Sequence, residues 1–206
     1  MLAAQADPPL EELALALAAE FREVDASAAL TRLDELGREV REAGERCAID
    51  ALGQVLGGRH GFAGNRANYE HPDNSMLDLV LERRTGLPIA LSVLYVAAAR
   101  RAGLPLDGVG LPGHYVVASF ASVPPVVLDP FGGGKRIDAP PTRDLRPWGA
   151  HETALRMLNN LVGSYTRRQD LGRAIRAAEL RLELPLEGRL GEALGAELRS
   201  LRARLN

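Results

Sequence analysis

Two short runs in this chain carry residue types that do chemistry together: Gly113-His114-Tyr115 and Leu128-Asp129-Pro130. A histidine is a general base near neutral pH, and a carboxylate beside it fixes its tautomer and orientation. With an activated nucleophile the two would make an acyl-transfer site. A third run, Gly86-Leu87-Pro88-Ile89, opens an almost wholly apolar segment that ends near Arg101. Proline suits a helix's first turn, and Gly103 follows the last basic residues, so this segment reads as a buried central helix.

The elements that must hold these runs follow from periodicity. Leu10, Leu13, Leu17, Phe21 and Val24 recur at helical spacing. Leu30, Leu33, Leu36, Val40 and Cys47 resume it after a break near Asp25 and Ser27, so residues 1–56 form a helical N-terminal region. Residues 57–74 contain four glycines and Pro72 and read as a structured loop, with Asn74 or Ser75 capping a short helix over Met76–Leu81. After Leu104-Pro105 the period falls to two. His114, Val116, Ala118 and Phe120 share one face, Tyr115, Val117 and Ser119 the other, and Val126–Leu128 makes a further strand. If these strands pair around a turn near Ala121 and Ser122, His114 lies directly opposite Asp129. Residues 150–206 read as two antiparallel helices and a final amphipathic helix carrying Leu190, Leu194, Leu198, Leu201 and Leu205.

Composition sets bounds. The chain of 206 residues is 46% hydrophobic, enough to bury a core and too apolar for disorder. A net charge of -2 gives no electrostatic footprint for nucleic acid or an anionic membrane. Met1–Pro9 lacks the basic segment of a secretory signal, and no stretch is long and apolar enough to span a bilayer. The single cysteine, Cys47, excludes an internal disulfide and a cysteine-rich zinc site, and cytoplasm is the expected location.

Phe62–Asn65, Asn74-Ser75, Glu82–Ser92, Gly108–Tyr115 and Asp129–Gly133 together resemble a bacterial family named after an invasion regulator, whose members join a transglutaminase-like core to a tetratricopeptide-type tail. The resemblance implies an α+β fold, with a papain-like core over residues 57–145 in which a central helix packs on an antiparallel sheet. In the wider superfamily a cysteine opens that helix, where the helix N-terminus favours the thiolate. Counting back from an Arg-x-x-Gly pattern, matched by Arg100 and Gly103, puts the cysteine position on Pro88. His114 and Asp129 match the other two members. The resemblance thus implies a retained base and orienter without a nucleophile, and a protein or peptide partner instead of a cofactor or metal. Asn65, Asn74, Ser75, Pro88, Gly113 and Tyr115 are the candidate cleft residues. In the tail, Leu161, Tyr165, Asp170 and Ala174 match the spacing of one tetratricopeptide unit, while Val162 and Arg181 depart where small residues are expected.

Competing signals are weaker. Ser92 lies one helical turn past Pro88, about 5.4 Å along the axis, too far for direct replacement. Cys47 sits on an apolar helical face and reads as a small buried hydrophobe. Gly132–Lys135 lacks phosphate-loop spacing, and His60, His71 and Asp73 lack the helical pairing of a metal site. Three functional classes stay open: a non-catalytic binding or regulatory protein, a hydrolase or acyltransferase that uses the His114/Asp129 pair on water or a substrate nucleophile, and a structural subunit of a larger assembly. The oligomeric state is not legible.

Overall fold

The computed structural model describes residues 5–44, 48–138, 145–185 and 188–205. Cys47 lies outside them. The helices are α1 (Leu10–Ala19), α2 (Ala26–Ala43), α3 (Ala48–Leu52), α4 (Leu77–Arg83), α5 (Pro88–Ala102), α6 (Ala150–Arg167), α7 (Leu171–Leu182) and α8 (Arg189–Ala203). The strands are β1 (Ala63–Gly64), β2 (Thr85–Gly86), β3 (Asp107–Leu111), β4 (His114–Ser119), β5 (Val126–Asp129) and β6 (Lys135–Ile137). The fold is α+β, as the resemblance implies. Strands β3 to β6 form an antiparallel meander in sequence order, while β1 and β2 make a short parallel pair of their own.

Helix α5 is the centre of the molecule. Apolar on nearly every side, it has eleven buried positions and must be covered all round. Helices α2 and α4 cover it on the helical side, and Tyr115, Val117 and Leu128 cover it from one face of the sheet. Strand alternation sends Val109, Val116, Ala118 and Val127 into a small cluster on the opposite face. A second cluster joins α6, α7 and α8 to Leu13 and Leu17 of α1 and to Met76 and Leu79, so the tail helices are docked onto the body. Among the described residues no helix is long and apolar enough to cross a membrane.

Several local expectations need correction. Gly57 and Gly58 do not break the chain: residues Gly53–Arg59 continue α3 as a π-helical turn. The glycines serve close approach, because a Cβ on Gly57 would stand 1.8 Å from the Gly133 carbonyl oxygen and one on Gly53 2.4 Å from that of Gly134. Neither Asn74 nor Ser75 caps α4. Both lie in a 3-10 turn (Pro72–Ser75), and Met76 occupies the cap position without a side-chain bond. The final helix buries Leu194, Leu198 and Leu201, whereas Leu190 and Leu205 stay exposed at its ends.

Candidate functional site

The β4–β5 pairing sets Val117 against Leu128, Ala118 against Val127 and Ser119 against Val126. The connection therefore centres between Ser122 and Val123, not between Ala121 and Ser122, and the expected register is wrong by two residues. Asp129 falls opposite Val116. A slip of two keeps the face while a slip of one would reverse it, so His114 and Asp129 remain diagonal neighbours within side-chain reach. Their side chains meet, His114 Nε2 to Asp129 Oδ1, at 3.1 Å.

Asp129 is itself held. Its Oδ1 also accepts the Phe131 backbone N–H at 3.0 Å, and its carbonyl accepts the Gly134 N–H at 2.8 Å, closing the turn over Pro130–Gly134. Positive φ at Gly133 and Gly134 makes that turn possible. With Nε2 donating to the carboxylate, Nδ1 is the basic nitrogen. Both side chains keep partial contact with solvent, 32% for His114 and 20% for Asp129. The pair is accessible to a ligand.

Around it stand residues that are not among the expected site residues. The Phe131 ring sits edge-on to His114 at 6.2 Å between centroids, with Tyr69 at 5.7 Å from it on another side and the Arg66 guanidinium over it at 5.1 Å. Gly64 is pressed under the same ring, where a Cβ would come within 2.2 Å of it. Arg156 of α6 donates to the carbonyls of Leu111, at 3.1 Å, and His114, at 2.9 Å, clasping the β3–β4 turn. Its only sequence signal is a cation on the inner side of an amphipathic helix.

The other expected cleft residues divide by accessibility. Pro88 is buried at the first position of α5, and the Leu87 N–H before it is tied to the Asn74 carbonyl at 2.9 Å. Asn65 donates to Asn74 Oδ1 at 3.0 Å, Asn74 Nδ2 donates to the Asn68 carbonyl at 2.7 Å, and Asn65 Oδ1 accepts the Asn68 N–H. These asparagines spend their groups on the 65–74 loop. Ser75 is buried. Tyr115, expected at the cleft, instead faces the core at 1% exposure and bonds Thr153 Oγ1 at 2.8 Å. Gly113 is exposed in the turn, with φ +69°.

The alternatives set aside above stay apart in space. Ser92 is fully buried on α5. His60 bonds Glu39 at 2.7 Å and His71 turns toward Asp73, and no group of three or more metal-ligating side chains occurs among the described residues. The Gly132–Gly134 run packs against Gly53 and Gly57. Arg181 is accommodated, though large, by bonds to Asn159 at 3.0 Å and Glu197 at 2.9 Å.

The chain belongs to the transglutaminase-like superfamily, whose family profile matches residues 25–176. It is similar to a UPF0162 protein of Xylella fastidiosa (34% identical over 201 residues, 85% of this chain and 72% of that one). A UPF0162 protein of Pseudomonas aeruginosa is 36% identical over 149 residues, covering 69% of this chain and 53% of its own length. Human F-box only protein 21 is 36% identical over 97 residues, 43% of this chain but 15% of that protein. No solved structure matches at a significant level.

Proposed function

We propose that this is a non-catalytic member of its superfamily, of the invasion-regulator type, that binds a protein or peptide segment in the cytoplasm through the cleft beside His114. The tail formed by α6, α7 and α8 acts in this reading as a tetratricopeptide-like surface, supported by the tight packing of α6 on α7 and of α7 on α8. The carrying observation is Pro88. The first residue of α5, where the superfamily resemblance puts the nucleophile, has no side-chain atom able to attack a carbonyl, and it is buried. Phe131, Tyr69 and Arg66 around the surviving pair offer ring faces and a cation to a bound segment. Purified protein is expected to give no enzyme-dependent turnover of amide, thioester or peptide substrates. Steady turnover abolished by His114→Ala or by Cys47→Ser overturns the proposal.

A second reading has its own support. The His114–Asp129 bond is intact and partly solvent-exposed, which a base acting on water requires. A hydrolase or acyltransferase of this kind loses turnover with His114→Ala and keeps it with Cys47→Ser. Unchanged behaviour of His114→Ala and Asp129→Ala in every assay removes that reading.

A further inference from the structure

A cleft of about 410 Å³ lies away from the His114 pair, where the end of α1, the Pro72–Ser75 turn with α4, and the α6–α7 connection come together. Its charged lining holds Arg22, Arg83, Arg168 and Arg173 against Asp73 and Asp170. Three of these cations are neutralised locally. Arg22 pairs with Asp78, Arg83 with Asp73 at 2.7 Å, and Arg173 with Asp170 at 3.0 Å. Arg168 has no ion-pair partner among the described residues, so the cleft keeps one positive charge without an internal counter-charge.

A second observation points the same way. Tyr165 is 5% exposed as a residue and lines the cleft, and its hydroxyl, which keeps contact with the cleft solvent, has no hydrogen-bond partner among the described residues. Burial, helped by the nearby Asp170 and Asp73 carboxylates, pushes its pKa up to about 12 against the opposing pull of the Arg173 cation, so the phenol is a donor at neutral pH. His71 adds another donor: Nδ1 accepts the Asp73 N–H at 3.3 Å, which leaves the neutral ring's proton on Nε2. Phe21, Met76 and Leu79 supply apolar wall, with the Phe21 and Tyr165 rings 5.4 Å apart.

We propose that this cleft binds a small oxyanion, a phosphate or carboxylate group carried on an apolar or aromatic body, with Arg168 and the Tyr165 hydroxyl as its primary donors. Charge-assisted bonds from a guanidinium to an oxyanion are the strong ones. Because the lining comes from the N-terminal helices, the α4 region and the tail, a ligand held there also fastens those three parts to one another.

Titration calorimetry at constant ionic strength tests this with phenyl phosphate, inorganic phosphate and benzoate. Saturable binding of at least one is expected; phenyl phosphate against benzoate separates phosphate from carboxylate, and inorganic phosphate reports the apolar wall. Arg168→Gln, at an exposed position, is expected to weaken binding roughly tenfold or more, and Tyr165→Phe to weaken it without loss of fold. His114→Ala is expected to leave it unchanged, which keeps this site separate from the cleft beside the His114 pair. No saturable binding by any of the three compounds, or equal affinity in Arg168→Gln, overturns the proposal.

Discussion

Replacing Tyr115 with phenylalanine tests how the sheet is fastened to the tail, and its effect should reverse sign with pH. The Tyr115 hydroxyl donates to Thr153 Oγ1 at 2.8 Å, and Thr153 passes its own proton to the Gly149 carbonyl at 2.9 Å. The pair is buried and links β4 to α6. Near neutral pH the substitution removes one net hydrogen bond and should cost about 1–1.5 kcal/mol. At alkaline pH a second effect enters. Burial raises the Tyr115 pKa from its ordinary 10.0 to about 12, outweighing the bond with Thr153 and the nearby Arg156 cation. Above pH 10 the unfolded chain therefore releases this proton first, the folded state binds more protons, and wild-type stability falls as pH rises. The loss is about 1.4 kcal/mol by roughly pH 11 and approaches about 2.7 kcal/mol beyond pH 12 (two units at about 1.36 each). Phenylalanine has no such proton to lose. The two stability curves should accordingly cross near pH 11, with the variant the more stable above it. Urea unfolding between pH 8 and pH 11.5, followed by the single tryptophan, Trp148, whose ring stands 5.7 Å from that of Tyr115, measures both curves. A gap that stays constant across that range would falsify the account of the buried phenol.

Other substitutions probe the site and its supports. Gly64→Ala drives a methyl into the Phe131 ring; it should cost about 1–3 kcal/mol and shift the His114 ring resonances, and unchanged resonances would show that Phe131 does not set that ring's position. Arg156→Gln removes the clasp on the Leu111 and His114 carbonyls, so amide exchange over residues 111–114 should accelerate while α5 stays protected. Glu11 is 2% exposed and joins α1 to Arg100 and Arg101 of α5. Glu11→Gln should lower the urea midpoint at unchanged slope, by about 1–3 kcal/mol, since Arg101 retains Asp34 at 2.5 Å.

The sequence alone determined the local grammar. The all-round apolar run from Pro88 to Ala102 made a buried helix, because only a position covered on every side tolerates such a run. Period-two alternation placed His114 with Val116 and Asp129 with Val127, and this parity kept the pair together even though the register was misread by two. What the chain could not specify locally was where in Ala121–Pro125 that hairpin turns. Tertiary structure decided the rest. Tyr115 was a cleft candidate although strand alternation already put it on the face opposite His114; packing supplied what meets it there, Thr153, 38 residues away. Gly57 and Gly64 read as breakers, but each serves a close approach by a distant segment. The ring and cation around His114 and the cleft beside Arg168 depend on contacts between segments far apart in the chain. Periodicity reports which side of an element is covered; only packing determines what covers it.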